Sequence, residues 1–190
     1  MTRWLAGLLA AALWMGSPSV AGADDTIKHP GDHPEYNVEA EPHLLLGWDN
    51  VYAASGYGLG GRFSIPIVHN GFVPTINNSV AISFGLDWIH YDGCWFHGNC
   101  TADYFQFPVV MQWNFFVAQR WSVFGEPGIL LFHGINVTDC PSGVACPGNP
   151  RVTGIEPAIY LGGRYHFSDK ASLTMRIGFP AFSVGVSFFL

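Results

Sequence analysis

The chain of 190 residues is poor in charge: 12% of its residues are charged, 15% are aromatic, its mean hydropathy is +0.23 and its formal net charge is −6. Average globular chains are about one-quarter charged, so part of this protein's surface is expected to contact something other than water. The negative charge and the lack of a basic patch argue against nucleic acid as a partner.

Residues 1–23 are typical of a signal peptide. Arg3 supplies a positive charge, an apolar run extends from Leu5 to Met15, and Ala21-Gly22-Ala23 offers small residues for cleavage. The run is about half the length that a membrane-spanning helix needs. We therefore expect export and cleavage after Ala23; the alternative is an N-terminal membrane anchor.

Residues 24–37 are polar and contain Pro and Gly, which predicts a flexible leader. From residue 38 to residue 190 the apolar residues recur with a period of two, which is the pattern of β-strands. Eight strands are predicted, each close to the length that a tilted strand needs to cross a membrane. They cover residues 38–48, 57–68, 79–90, 103–115, 121–132, 153–167, 171–179 and 182–190.

The alternation separates bulky apolar residues from polar ones, as the strand at 103–115 illustrates. One of its faces carries Phe105, Phe107, Val109, Met111, Trp113 and Phe115. The other carries Tyr104, Gln106, Pro108, Val110, Gln112 and Asn114. In the neighbouring strand, Val80, Ile82, Phe84, Leu86 and Trp88 share the apolar face.

Two all-β architectures use such alternation. A soluble sandwich or calycin-type barrel has its apolar face inside, whereas a membrane barrel presents that face to lipid. The polar face here is rich in Gly, Ser and Ala, which suits a narrow interior, and Trp48, Trp88 and Trp113 lie near strand ends, where an interfacial girdle occurs. The sequence therefore predicts a closed antiparallel up-and-down transmembrane β-barrel.

If both chain ends face the periplasm, the connections at 116–120 and 168–170 are short periplasmic turns. The connections at 91–102 and 133–152 are then outer loops. Two connections fit this topology poorly: 69–78 is long for a periplasmic turn, and the outer connection at Pro180-Ala181 is very short.

Four cysteines fall in the two long outer loops, namely Cys94, Cys100, Cys140 and Cys146. Pairing of sequence neighbours within each loop is the simplest of three connectivities, and the export route favours disulfides. The alternative is a metal site of four thiolates, but the spacing within each pair does not match that of zinc ligands. We expect no metal and no cofactor.

Charges on the polar faces of the strands are predicted to meet inside the barrel, because buried charges persist only when paired. The predicted network contains Glu41, Arg62, Asp87, Glu126, Glu156, Arg164 and Arg176. A Glu-Pro pair occurs at residues 126–127 and again at 156–157, which suggests equivalent lumen positions on adjacent strands, with Pro marking bulges.

The last eight residues match the assembly signal of bacterial outer-membrane barrels, through Ser183, Gly185, Phe188 and Leu190. With the signal peptide and the alternating strands, the mature chain resembles the small eight-stranded outer-membrane proteins of the OmpA/OmpX type. The terminal Leu190 departs from the Phe or Trp that is more frequent in such barrels. The resemblance implies residence in a bacterial outer membrane, contact with its lipid, and recognition of the C-terminal strand by the assembly machinery.

These patterns predict a structural or surface-interaction barrel without turnover, whose outer loops would contact an extracellular ligand. A narrow passive channel is the alternative. A lipid-modifying enzyme is a further one, because His166-Phe167-Ser168 resembles the His-x-Ser element of a lipid A deacylase. His166, however, is predicted to face the lumen, whereas such enzymes act at a lipid-facing surface.

Overall fold

A computed structural model describes residues 26–49, 54–92, 101–135 and 152–190. A short 3-10 helix at Thr26–Lys28 precedes eight β-strands. The strands are β1 (Glu39–Asp49), β2 (Ala54–Val68), β3 (Asn78–Asp92), β4 (Thr101–Ala118), β5 (Trp121–Ile135), β6 (Thr153–Ser168), β7 (Ala171–Gly178) and β8 (Ala181–Phe189). The predicted fold is confirmed, with strand ends shifted by a few residues. No helix within the described residues is long and apolar enough to cross a membrane.

Each strand pairs with the next one along the chain, and the ladder closes because β8 pairs antiparallel with β1. The closing pairs run from Glu39 opposite Phe189 to Gly47 opposite Ala181. Closure gives every strand two partners, so no strand presents the unpaired backbone groups of a sheet edge. We call the end that carries the start of β1 and the end of β8 the terminal end, and the opposite end the loop end.

The alternation along each strand puts bulky apolar side chains outside and polar ones inside. Leu44 and Ile159 are each 69% exposed, whereas Glu126 and Arg164 are 0% and 1% exposed. A soluble barrel has the opposite arrangement. Val80 is the exception among the residues predicted to be on the apolar face: it is fully buried, beside the register shift between Pro66 and Val68.

The interior is not uniform along the barrel. Towards the loop end the inward side chains form an apolar cluster of Leu45, Ile89, Tyr91, Ala102, Tyr104 and Ala181. Towards the terminal end and in the middle most of them are charged or polar, but Phe116 and Phe124 are also buried there. A second apolar cluster contains Val110, Leu130, Ala158 and Tyr160. The interior is narrow enough that inward glycines are needed beside large residues: a Cβ on Gly162 would contact the ring of Phe124, and one on Gly178 the ring of Tyr160.

The terminal end carries two tight turns and one longer connection. Residues 119–120 join β4 to β5, residues 169–170 join β6 to β7, and residues 69–77 join β2 to β3. At the loop end, residues 179–180 join β7 to β8. The other three loop-end connections contain 50–53, 93–100 and 136–151, which lie outside the described residues.

Candidate functional site: the ion-paired interior

Arg176 of β7 lies at the centre of the interior between two carboxylates. Its Nη1 and Nη2 donate to Glu41 Oε1 and Oε2 at 2.8 and 3.0 Å. Its Nε donates to Glu126 Oε2 at 2.8 Å, and its Nη2 also donates to Glu126 Oε1 at 3.2 Å. The planar guanidinium matches two carboxylates at once, which a lysine ammonium would not do.

A second guanidinium extends this layer around the barrel. Arg62 Nη1 donates to Glu126 Oε2 at 2.9 Å, and its Nη2 lies 3.7 Å from Asp87 Oδ2. Gln112 Nε2 donates to Glu126 Oε1 at 2.8 Å. Glu126 therefore accepts hydrogen bonds from three side chains, which compensates for the loss of water around a fully buried carboxylate.

His43 of β1 connects the two ends of this central layer. Its Nε2 lies 2.9 Å from Asp87 Oδ1 in a hydrogen bond. Its Nδ1 lies 3.4 Å from Glu41 Oε1, without hydrogen-bond geometry. The imidazole thus faces a carboxylate at each nitrogen. We define the central layer as Glu41, His43, Arg62, Asp87, Glu126 and Arg176.

A separate ion pair lies nearer the terminal end. Arg164 of β6 donates from Nη2 to Glu39 Oε1 and Oε2 at 2.7 and 2.9 Å, and from Nη1 to Asn114 Oδ1 at 2.6 Å. Its guanidinium carbon lies 4.4 Å from the ring centroid of Phe124, and that of Arg176 lies 5.2 Å from the same centroid. Phe124 is therefore in cation–π contact with both guanidinium groups.

Six of the seven charged residues predicted for the interior take part in these ion pairs, whereas Glu156 makes none within the described residues. It is half-buried and stands in register with Leu130, whereas Glu126 stands in register with Tyr160. The two Glu-Pro pairs are therefore at different heights, because antiparallel strands run in opposite directions. The prediction of bulges there was also wrong, since the β5–β6 register is continuous across both prolines.

Glu39 was not predicted as an ion-pair partner, nor were the roles of His43, Gln112 and Asn114. Glu39 is separated from Glu41 by one residue, so the alternation alone would have placed it on the same face. Its partner Arg164 lies 125 positions away in sequence, and no local pattern indicates that contact.

The His166-Phe167-Ser168 segment does not bring its histidine and serine together. His166 faces inward and its Nε2 lies 2.9 Å from Ser122 Oγ, while Ser168 is exposed at the end of β6. His166 Nδ1 is buried and has no hydrogen-bond partner within the described part of the chain. A hydrolytic triad needs a carboxylate at that nitrogen, and none of the described residues supplies one.

The leader packs over the terminal end of the barrel. Its main contact there is Asn77 of the 69–77 connection, which is fully buried. Asn77 donates from its backbone nitrogen to Ile27 O at 2.8 Å and from Nδ2 to Asp32 O at 2.7 Å. Its Oδ1 accepts from His33 Nδ1 at 2.6 Å, and the His33 ring stacks on Phe116 at 4.5 Å. The long 69–77 connection thus provides the contact point for the leader.

The end of the leader continues into the barrel wall. The backbone nitrogens of Asn37 and Val38 donate to Leu190 O at 2.7 and 3.1 Å, and Leu190 N donates back to Val38 O at 2.8 Å. Tyr36 is buried against Phe189, with ring centroids 4.9 Å apart. Burial raises the pKa of the Tyr36 phenol above its ordinary value. These contacts involve the leader residues that the structure describes, 26–37. The flexibility of the leader in solution stays a prediction.

The residues of the C-terminal signal alternate as the strand requires. Ser183 and Gly185 face inward, and Phe188 and Leu190 are exposed on the outer surface at 45% and 70%. The four cysteines lie outside the described residues, so their pairing stays a prediction. Within the described residues, no group of three or more His, Cys, Asp or Glu side chains could hold a metal ion.

A closed ladder, an apolar outer surface and an interior of paired charges together define a small β-barrel of the outer-membrane type. In such a barrel every backbone group is paired within the wall, so the apolar surface can face hydrocarbon.

Three solved structures resemble the chain. The outer membrane protein OprG from Pseudomonas aeruginosa is 12% identical, with 84% of this chain and 92% of that one covered and a TM-score of 0.49. Neisserial surface protein A is 13% identical over 80% and 96% of the two chains, with a TM-score of 0.47. The Yersinia pestis outer membrane protein Ail is 11% identical over 80% and 99%, with a TM-score of 0.38. No protein-family model and no curated protein sequence matches the chain.

Proposed function

We propose that the protein is a structural or surface-interaction barrel of a bacterial outer membrane, with an interior closed by side chains and no turnover. The observation that carries this proposal is the central layer, in which charges from five different strands bond to one another across the interior. An eight-stranded barrel has an interior just wide enough for side chains to fill. Ions would have to break these pairs to pass.

The outer loops are the proposed interaction surface, because specificity usually resides on loops held by a rigid scaffold. We propose that Cys94–Cys100 and Cys140–Cys146 are bridged within their own loops. Peptide mapping under non-reducing conditions tests this pairing. A peptide that joins the two loops would contradict it.

Conductance across a planar lipid bilayer separates the closed barrel from a narrow channel. The protein refolded into the bilayer should give no current steps above those of a protein-free bilayer. Folding is verified on the same preparation by heat-modifiable migration on a gel. Discrete steps from folded protein, abolished by heat denaturation before reconstitution, would instead establish the channel.

Lipid analysis tests the enzymatic alternative. Cells with and without the protein should have the same lipid A and phospholipid species by mass spectrometry. Loss of an acyl chain that depends on His166 would contradict the proposal. The Ser122–His166 pair offers weak support for catalysis, because no described residue forms a hydrogen bond with His166 Nδ1 that would orient the imidazole.

A further inference from the structure

A cavity of about 510 Å³ opens at the terminal end of the barrel, outside the central layer. Three segments line it: the leader, the turn between β4 and β5, and the turn between β6 and β7. Its size falls in the range of small-molecule sites, about 300–1,000 Å³. The lining residues that matter for its chemistry are Asp32, Phe116, Arg120, His166 and Asp169.

The cavity is lined by side chains of both charges, and within the described residues the structure shows no ion pair between them. Among the described residues, the side chain of Arg120 has one hydrogen bond, from Nη1 to the hydroxyl of Tyr165 at 3.4 Å. The carboxylates of Asp32 and Asp169 have neither a hydrogen bond nor an ion pair within that part of the chain. One guanidinium and two carboxylates are therefore available to a ligand.

The wall of the cavity contains a buried group that lacks a partner. His166 is 7% exposed and lines the cavity; its Nε2 is hydrogen-bonded to Ser122, and its Nδ1 has no hydrogen-bond partner among the described residues. Buried polar atoms in proteins are normally satisfied by protein, water or ligand. Phe116, stacked under His33, provides an apolar surface in the same cavity.

The cavity adjoins the membrane–water boundary. Trp121 and Tyr165 are in edge-to-face contact at 5.0 Å, and Tyr165 and Phe167 at 5.7 Å. Such aromatic groups mark the level of lipid headgroups in membrane barrels. Arg120 is at this level, since it bonds to Tyr165, and Phe167 belongs to both the aromatic group and the cavity lining.

We propose that this cavity binds a zwitterionic phosphoethanolamine group. The phosphate would accept hydrogen bonds from the Arg120 guanidinium, which suits oxyanions. The primary ammonium would donate to the carboxylates of Asp32 and Asp169. His166 Nδ1, which has no partner among the described residues, would form a further hydrogen bond with the bound group. This site is independent of whether the central layer excludes ions.

Native mass spectrometry of the full chain in detergent micelles tests the proposal with two lipids. Phosphatidylethanolamine carries both the phosphate and the ammonium, whereas phosphatidylglycerol carries the phosphate alone. The protein should retain phosphatidylethanolamine in preference to phosphatidylglycerol. Asp169→Asn should lower this preference about tenfold, the change expected when one charge-assisted hydrogen bond is lost. Arg120→Gln should weaken retention of both lipids.

Lys170→Gln is the matched control, because Lys170 is a neighbouring exposed cation that does not line the cavity. It should leave both lipids unaffected. Equal retention of the two lipids by the natural chain without saturable binding of soluble glycerophosphoethanolamine, or a Lys170→Gln effect equal to that of Arg120→Gln, would overturn the proposal.

Soluble glycerophosphoethanolamine distinguishes a lipid headgroup from a free small molecule. Competition that removes bound phosphatidylethanolamine supports recognition of the headgroup in the cavity. Saturable binding of the soluble compound without any lipid preference assigns the same chemistry to a soluble ligand. The proposed site is contradicted if glycerophosphoethanolamine does not displace the lipid and if Asp169→Asn leaves the lipid preference unchanged.

Discussion

Arg164 is 1% exposed and has its charge compensated by Glu39, Asn114 and the ring of Phe124. Replacing a buried ion pair by apolar residues is often tolerated, whereas removing one partner leaves a charge stranded in a low-dielectric interior. The stability lost when Arg164 is replaced therefore depends on whether its partner, Glu39, remains charged in the interior.

Arg164→Leu should destabilise the barrel by about 3–5 kcal/mol, because it leaves Glu39 buried without a cation. Glu39→Gln in the same chain should recover part of this loss. The midpoint of urea unfolding in detergent micelles measures both. Glu156→Gln serves as the control, since Glu156 makes no ion pair within the described residues, and it should give no recovery. A silent Arg164→Leu variant would contradict the buried ion pair.

Gly162 and Gly163 offer a matched pair on one strand. A Cβ at Gly162 would collide with the ring of Phe124, whereas at Gly163 the nearest atom, Ser122 O, is 3.7 Å away. Gly162→Ala should cost about 1–3 kcal/mol through overpacking, and Gly163→Ala should be close to neutral. Thermal unfolding monitored by circular dichroism compares the two. Equal effects would show that the close approach to Phe124 does not matter.

The sequence was sufficient to predict which face each charge occupies, but not which charges meet. Alternation assigns Glu39, Glu41 and Glu156 to one side of the wall. Their heights inside the barrel depend on strand tilt and on the stagger between distant strands, which no local pattern encodes. This is why Glu39 was missed, and why Glu156 has no ion pair within the described residues although it was predicted to join the network.

The leader and the 69–77 connection form one unit at the terminal end. The length of this connection, which fits a simple periplasmic turn poorly, is explained by its contact with residues 27–33 through Asn77. Composition predicted a flexible polar leader and gave no indication of where it docks. Its docking depends on one buried amide contributed by another segment, which sequence patterns do not reveal.

Asn77→Ala should release the leader without unfolding the barrel, because it removes both side-chain hydrogen bonds to Asp32 and His33. Limited proteolysis of the folded protein should then cut within residues 26–37 faster than in the natural chain. Thr75→Ala, at an exposed position of the same connection, should not change the rate. An unchanged cleavage rate for Asn77→Ala would indicate that stacking of His33 on Phe116 holds the leader without these bonds.

The whole molecule carries its apolar surface outward, so lipid and detergent are its expected solvents. Leu161 and Ile177 are paired on β6 and β7 and are 62% and 56% exposed on that surface. A soluble barrel would tolerate charge at such exposed positions. A membrane barrel would not.

Ile177→Arg should reduce folding into lipid vesicles by about 2–4 kcal/mol, the cost of a charge near the bilayer midplane. Ile135→Arg, at the loop end of β5, should cost much less because the interfacial region hydrates the charge. Heat-modifiable gel migration after refolding measures the folded fraction of each variant. Equal folding of both variants with the natural chain would argue against insertion in a bilayer.

The central layer has a consequence for the choice among competing strand pairings. A slip of one residue between neighbouring strands exchanges lipid-facing and inward side chains, and hydrophobicity alone rejects it. A slip of two residues leaves every side chain on its proper face, so the hydrophobic pattern hardly distinguishes it from the native register. Such a slip would, however, shift Arg62 or Arg176 along the strand direction by about two strand rises, roughly 7 Å, and separate it from its carboxylates. The ionic contacts therefore discriminate against even-numbered register errors, which the alternating pattern cannot detect.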